Sequence, residues 1–175
     1  PGMIVQGDLH DLPALTSLFG SVLAYLKTHG IKITEVVLGI AESQSYLLTQ
    51  PASSTHADVI TLMAKEIPFT ADELYFDSQL TSTYRVLGAA PRRYVDTLIQ
   101  TAESAGFTVA GLDLEGLATV RAIAHALPKE TTGAWGLIDF GATRTQWMLA
   151  DHDVICETLR LPIAGTALTA SLVET

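Results

Sequence analysis

The sequence predicts an α/β protein in which a mixed β-sheet is flanked by helices. Short apolar runs bounded by glycine, proline or aspartate alternate with longer segments whose apolar residues recur at helical spacing. Adjacent strands that suit hairpins are interspersed with strand–helix–strand crossovers, so both antiparallel and parallel pairing are required. The predicted order is β-α-ββ-α-ββ-α-β-α-βββ-α, with no internal repeat and no low-complexity segment.

The helices are predicted from capping residues and from apolar periodicity. Asp11 is placed to cap the first helix, with Pro13 in the first turn and Gly30 as a C-terminal stop. Thr55 caps the second helix in a capping-box arrangement with Asp58. The predicted helices span residues 11–30, 55–67, 91–106 and 114–127, and a final segment from about residue 165.

The strands are predicted from short apolar runs that end at turn residues. Residues 35–41 form a nearly continuous apolar run, which is typical of a strand buried on both faces. Residues 73–81 and 83–90 form two strands that meet in a turn near Ser82, and residues 128–132 are the only linker-like stretch. The predicted strands span residues 2–6, 35–41, 46–50, 73–81, 83–90, 107–113, 135–140, 145–150 and 154–161.

Composition excludes several classes of function. The chain has 175 residues, of which 48% are hydrophobic, and ten basic against nineteen acidic residues leave a net charge of −9. This acidity argues against nucleic-acid binding and against a polybasic grip on lipid. A single cysteine excludes an internal disulfide framework, and no stretch approaches the roughly 20 apolar residues of a membrane span. Because Pro1 cannot start translation, we expect a processed or cut piece of a cytosolic protein.

The segment from residue 136 to residue 149, GLIDFGATRTQWML, is the most informative for function. An apolar strand brings Asp139 to its end, and a tight turn of small residues follows at Gly141 and Ala142. Thr143 and Thr145 then lead into a returning strand. Small residues let backbone N–H groups approach an anion, hydroxyls add donors, and a carboxylate can hold Mg²⁺ through water. An ordinary hairpin turn fits the same residues, so both interpretations stay open.

Longer strings around this segment resemble a known family. IDFGATRTQWML at residues 138–149 and LRLPIAGTAL at residues 159–168 resemble the second phosphate loop, and the strand and helix after it, of actin-like ATPases. The string IPF-x-x-x-EL-x-FD-x-Q at residues 67–79 is more specific, because general actin-like proteins do not carry it. Together these motifs resemble the PilM family of type IV pilus assembly proteins, relatives of the division protein FtsA, over residues 7–172.

The resemblance implies an actin-like, ribonuclease-H-like fold with an inserted small α/β subdomain. Members of the family are longer, so the chain corresponds to a truncated fragment. The implied subdomains are part of 1A at residues 1–34, the inserted 1C at residues 35–85, the rest of 1A at residues 86–132, and the start of 2A with the phosphate-loop hairpin at residues 133–175.

The resemblance also implies ATP and Mg²⁺ as cofactors of the intact parent. Asp139 then organises Mg²⁺, and Gly141, Ala142, Thr143 and Thr145 match the phosphate loop. The chain departs from the family at Arg144, where Ser or Thr is usual, and at Gln146, where Asn or Asp is usual. The other walls of the nucleotide cleft correspond to segments before Pro1 and after Thr175, so this fragment by itself is expected to hold nucleotide weakly or not at all.

The implied partner is the N-terminal cytoplasmic peptide of PilN, an inner-membrane protein, in the groove between subdomains 1A and 1C. Candidate groove residues are Tyr75, Phe76, Tyr84 and Arg85, because they lie near that region and combine aromatic or cationic character with strand exposure. We expect a cytoplasmic adaptor that is peripheral to the inner membrane through its partner, with no direct membrane insertion and with self-association into a homodimer. The alternatives are an ATP-hydrolysing enzyme and an FtsA-like division filament protein.

Other polar residues have simpler interpretations. Asp113 is placed to cap the helix that follows it, so it is not assigned a catalytic role. Arg92 and Arg93 lie at a helix start, where acidic neighbours or an anionic partner would offset their charge. Residues 151–153 suit a turn better than a metal site, and Cys156 suits a buried structural thiol.

Overall fold

Helices and strands alternate along the chain in the predicted order, except that the first strand is a hairpin of two short strands. The computed structural model describes residues 2–5, 7–128, 133–152, 154–161 and 163–173. The helices are α1 (Leu12–Thr28), α2 (His56–Glu66), α3 (Arg92–Ser104), α4 (Glu115–Ala126) and α5 (Gly165–Val173). The strands are β1 (Ile4–Val5), β2 (Asp8–Leu9), β3 (Glu35–Ile40), β4 (Tyr46–Pro51), β5 (Leu74–Leu80), β6 (Tyr84–Pro91), β7 (Thr108–Leu114), β8 (Ala134–Phe140), β9 (Thr145–Asp151) and β10 (Val154–Leu161). The predicted linker lies, apart from Pro128, outside the described residues.

Local capping fixes where the first two helices begin. The Asp11 side chain accepts a hydrogen bond from the Ala14 backbone N–H at 3.0 Å, as predicted. Thr55 and Asp58 form the predicted capping box, in which each side chain accepts from the backbone N–H of the other residue. These side chains satisfy N–H groups that have no partner inside the helix.

Strand pairing is both parallel and antiparallel, which confirms the mixed α/β class. β3 and β7 form a parallel pair, whereas β4, β6 and β5 form an antiparallel sheet with β6 in the centre. β8, β9 and β10 form an antiparallel meander, and β1 pairs with β2. The short helical turn Glu42–Gln44 separates β3 from β4, so these consecutive strands belong to different sheets.

The core lies between each sheet and its helices. One face of the β4–β6–β5 sheet packs on α2 through Leu74, Leu87 and Met63, among others. The meander packs on α4 through a cluster of Val120, Met148, Ala150 and Ile155. The second face of the β4–β6–β5 sheet turns towards β10, and the Thr49 hydroxyl donates to the Ile155 carbonyl at 2.7 Å. Within the described ranges, no helix has both the length and the apolar content of a membrane span.

Candidate functional site

A groove of about 450 Å³ runs between the β4–β6–β5 sheet and the end of β7 with α4. Its sheet wall includes a run of small residues at positions 88–90 of β6. A Cβ added at Gly88 would lie 3.2 Å from Leu114 Cδ1, so the two walls approach closely at this glycine. The apolar lining includes Ile40, Val86, Val95, Leu112, Leu114, Leu117 and Val154, and the polar lining includes Asp77, Gln79, Thr81, Asp113 and Arg121.

Tyr75, which lines the groove, contacts an arginine and an aspartate of α3. The Tyr75 hydroxyl donates to Asp96 Oδ1 at 3.0 Å, and the Arg92 guanidinium lies 4.2 Å from the centre of the Tyr75 ring. A hydrogen bond from the Thr70 side chain lowers the pKa of Asp72 below 3.8, and its own backbone amide and the charge of Arg92 act in the same direction. Arg92 lies at the N-terminus of α3, where the helix dipole disfavours a positive charge. The Tyr75 ring and the Asp72 carboxylate offset that unfavourable interaction.

Asp113 and Arg121 form a hydrogen-bonded ion pair on the opposite wall. The prediction that Asp113 caps α4 is wrong, because β7 continues to Leu114 and α4 begins at Glu115 without an intervening loop. Leu114 occupies the cap position, and no side chain caps this helix. Asp113, on β7, instead lines the groove and is paired there with Arg121 of α4.

The structure divides the predicted partner-binding residues into two pairs. Tyr75 and Phe76 line the groove, whereas Tyr84 and Arg85, at the start of β6, do not belong to its lining. The Arg85 side chain donates to the Ser54 carbonyl at 3.2 Å. A hydrogen bond with the Cys156 side chain, and the negative charge of that side chain when it is ionised, raise the pKa of Tyr84 above its ordinary value of 10.0.

The turn between β8 and β9 is built around Gly141. The Gly141 N–H donates to the Arg144 carbonyl at 2.9 Å, and a Cβ at Gly141 would lie 2.7 Å from that same oxygen. Only glycine fits without a backbone shift. The Gly141 and Ala142 carbonyls in turn accept from the N–H groups of Gly165 and Thr166, at 3.0 and 2.8 Å. The turn and the start of α5 are therefore held together.

The predicted phosphate-site residues lie on this one turn but differ in exposure. Asp139, Ala142 and Thr143 are exposed, whereas Thr145 is 2% exposed. Its Oγ1 is a buried atom without a hydrogen-bond partner in the described part of the chain. The register places Asp139 opposite Gln146, so the two side chains share the sheet face that turns towards α4.

A series of polar contacts joins this turn to the helix turn that follows β3. Arg144 Nη2 lies 3.1 Å from Glu115 Oε2, at the first residue of α4. The same carboxylate oxygen accepts from the Glu42 backbone N–H at 3.4 Å, and Arg160 Nε lies 3.2 Å from Glu42 Oε1. Burial raises the pKa of Tyr94, with further contributions from the charges of Glu115 and Asp8. Sequence reasoning missed the pairing of Arg144 with Glu115, because opposite charge alone does not identify partners so far apart.

The single carboxylate beside the turn suits a metal ion that binds together with phosphate. Among the described residues, no group of three His, Cys, Asp or Glu side chains comes together in a way that could hold a metal. Asp139 is a single exposed carboxylate beside the turn. Mg²⁺ is commonly held by one or two carboxylates with substrate phosphates and water, so Asp139 suits that role. His152 pairs with Asp151 at 2.9 Å in the next turn, and Asp153 lies outside the described residues.

Comparison with known proteins gives structural matches. No family model and no curated protein matches the chain. A chain of the PilM–PilN type IV pilus biogenesis complex superposes with a TM-score of 0.77 and 20% identity, covering 99% of this chain and 55% of that one. The cytoplasmic domain of EpsL, an inner membrane component of the type II secretion system of Vibrio cholerae, gives a TM-score of 0.53 and 13% identity, covering 83% and 56%. MreB 5 of Spiroplasma citri bound to AMPPNP gives 0.52 and 14%, covering 98% and 37%.

These similarities establish the fold. The chain has the actin-like ATPase fold, in the form seen in the PilM–PilN complex, as the motifs predict. It spans about half the length of the first two structures it matches.

Proposed function

We propose that the chain is part of a cytoplasmic, actin-like adaptor of type IV pilus assembly, and that it binds the N-terminal peptide of a PilN-like inner-membrane protein. The observation that carries the proposal is the groove. It lies in a chain that superposes, over 99% of its length, on a chain of the PilM–PilN complex. Through this partner the adaptor is peripheral to the inner membrane. The IPF-x-x-x-EL-x-FD-x-Q string at residues 67–79 favours a PilM-like protein over an FtsA-like filament protein, and the alternatives are that filament protein and an ATP-hydrolysing enzyme.

The chemistry of the groove suits an extended peptide. Its floor is apolar, and polar groups at a few positions can fix the direction and register of a bound segment. β5 lies at the edge of its sheet, and its residues after Leu74 are exposed. An open strand edge beside an apolar groove offers main-chain hydrogen bonds and side-chain pockets to the same peptide.

We assign the walls of the groove to the subdomains that the resemblance implies. We take residues 35–85 as the inserted subdomain 1C, residues 1–34 and 86–132 as 1A, and residues 133–175 as the start of 2A. On this assignment β5 of 1C lies on one side of the groove and α4 of 1A on the other, and the lining residues 86 and 88–90 of β6 also belong to 1A. This assignment makes the insertion part of the partner-binding surface.

The β8–β9 turn serves the nucleotide in the intact protein. Gly141, Ala142, Thr143 and Thr145 would bind the phosphates of ATP, and Asp139 would hold Mg²⁺. The similarity in fold to MreB 5 bound to AMPPNP supports this role. The bound metal supplies positive charge to the phosphates, while the turn positions them. The exposed apolar face of the meander, at Ile138 and Leu159, serves self-association into a homodimer.

Calorimetric titration with the N-terminal cytoplasmic peptide of the PilN-like protein from the same genome tests the adaptor function. We expect one peptide to bind per chain, and Tyr75→Ala to weaken its affinity about ten-fold, or about 1.4 kcal/mol, because an aromatic wall of the groove is lost. The matched control is Tyr25→Ala, since Tyr25 is 60% exposed on α1 and does not line the groove. Equal affinity for both variants, or no heat of binding for the unmodified chain, would exclude the groove as the binding site.

A further inference from the structure

Arg144 is the residue at which the β8–β9 turn departs from the pattern of the family it resembles. Its guanidinium is neither buried nor free, because it pairs with Glu115 at 3.1 Å while 37% of the Arg144 side chain and 54% of the Glu115 side chain are exposed. Exposed ion pairs of this kind contribute little to stability, from about 0 to 1 kcal/mol. The pair can therefore open at little cost when a stronger anion reaches Arg144.

The surroundings make that exchange favourable. Glu115 keeps a second partner, the Glu42 backbone N–H, after Arg144 leaves. A guanidinium binds phosphate through two parallel hydrogen bonds and carries its charge at any physiological pH. A polyphosphate has several charges, so it competes well against one carboxylate.

The balance of charge near the turn points the same way. In the described part of the chain, the contacts around the turn bring together the acidic groups Asp139, Glu115 and Glu42, with the charge of Asp8 acting beside that of Glu115, and the cations Arg144 and Arg160. Arg160 is already bonded to the Glu42 side chain and to the Glu42 carbonyl. Arg144 is therefore the side chain that can offset the repulsion between these carboxylates and an incoming polyphosphate.

We propose that Arg144 is a phosphate-binding side chain of the β8–β9 turn and that Glu115 holds it in place when no phosphate is bound. The inference rests on the proposed nucleotide-binding role of the turn and specifies its chemistry. Arg144 supplies part of the positive charge that polyphosphate needs, so binding persists in part without a divalent metal. Polyphosphate and Glu115 compete for the same guanidinium.

Competition predicts opposite effects for the two members of the pair. We would titrate the 175-residue chain with inorganic tripolyphosphate and with ATP by calorimetry, in EDTA and in excess Mg²⁺. Arg144→Gln should weaken tripolyphosphate binding in EDTA about ten-fold, whereas Glu115→Gln should strengthen it about three-fold, because the competing carboxylate is gone. The double variant should bind no more tightly than Arg144→Gln alone.

A matched control removes a different paired cation. Lys65→Gln breaks the ion pair of Lys65 with Glu66 on α2, away from the turn and outside the groove lining, and changes the net charge by the same amount, so it should leave tripolyphosphate affinity unchanged within about two-fold. Urea unfolding of each variant verifies that it is folded.

Each outcome decides between the inference and the function on which it rests. If the unmodified chain binds no tripolyphosphate, both the phosphate role of the turn and the role of Arg144 are overturned, whereas absence of ATP binding alone agrees with the weak hold expected of a single wall of the nucleotide cleft. If it binds tripolyphosphate but Arg144→Gln binds equally well, the turn keeps its proposed role and the inference about Arg144 fails. Weaker binding by Glu115→Gln would also overturn it, since Glu115 would then assist the ligand.

Discussion

Thr55 and Thr70 each begin a helical segment by a reciprocal arrangement with an acidic residue three positions later. The Glu73 carboxylate accepts from both the backbone N–H and the hydroxyl of Thr70, at 2.9 and 2.7 Å. Hydrogen bonds of the same kind, first from the backbone and then from the hydroxyl, lower the pKa of Asp58 below 3.8 and that of Glu73 below 4.5. A carboxylate whose pKa is lowered by folding stabilises the native state above its ordinary pKa, and this contribution is lost as pH falls through the lowered value.

The capping carboxylates therefore predict a pH dependence. The urea midpoint of the unmodified chain should fall as pH is lowered from about 5 to about 3, and Asp58→Asn should reduce this fall because it removes one titrating cap. The measurement is equilibrium urea unfolding, followed by circular dichroism, at several pH values. Parallel curves for the two proteins would show that the Asp58 cap does not contribute to acid sensitivity.

Glycine at position 141 is required by space rather than by a left-handed backbone. Gly141→Ala should destabilise the fold by about 1–3 kcal/mol, because the new Cβ meets the Arg144 backbone oxygen. Gly20→Ala is the matched control, since a Cβ in the middle of α1 meets nothing within 4 Å and should stabilise the chain by about 0.5–1 kcal/mol. Urea unfolding of both variants checks the opposite signs, and a neutral Gly141→Ala would contradict the tight turn.

At the scale of elements, β5 is attached to the core by its first residue. Leu74 is fully buried against α2, whereas Leu80 at the other end of the strand is 56% exposed. Leu74→Ala should cost roughly 2–5 kcal/mol of unfolding free energy, and Leu80→Ala less than about 0.5 kcal/mol. Chemical denaturation of both variants measures the difference. Similar costs would mean that β5 is held along its whole length rather than at one end.

Elements defined by local signals could be predicted from the sequence, and long-range partners could not. Asp11 and Thr55 cap their helices as predicted because capping depends only on neighbours within one turn. Asp113 shows the limit of local signals. An aspartate at the end of a strand can cap the following helix or pair with a distant arginine, and only the packed structure shows that Asp113 does the second. The pairing of Arg144 with Glu115 depends on how the meander packs on α4, which no local pattern encodes.

The same limit explains why only two of the four predicted partner-binding residues line the groove. Tyr75 and Phe76 could be proposed from their motif, and they line the groove. Tyr84 and Arg85 carry similar chemistry, but Arg85 donates to the Ser54 carbonyl and Tyr84 interacts with Cys156 of β10, and neither belongs to the lining. These partners are distant in sequence, so no local pattern shows which of the four residues can serve the site.

At the scale of the whole molecule, one sheet face remains apolar and accessible. Ile138, Trp147 and Leu159 lie opposite one another across the meander, and Ile138 and Leu159 are 61% and 55% exposed. β8 also forms the edge of this sheet. An apolar face beside an open edge favours association between copies of a chain.

This surface predicts that the chain forms a homodimer in solution. Sedimentation velocity over a range of concentrations should show a dimer that dissociates on dilution, and Ile138→Lys should shift it to monomer because a charge would be buried. The control is Ile33→Lys, at a residue that is 53% exposed outside the meander. A monomer at every concentration would contradict self-association through this face.

The central claim is that a partner peptide occupies the groove between the β4–β6–β5 sheet and α4. Hydrogen–deuterium exchange with and without the N-terminal peptide of the PilN-like protein tests it most directly, because it locates the peptide on the unmodified chain. We predict that amides in residues 74–81 and 112–121 become protected, while those of β8 to β10 keep their exchange rates. Protection confined to the meander or to α1, with residues 74–81 unchanged, would contradict the account.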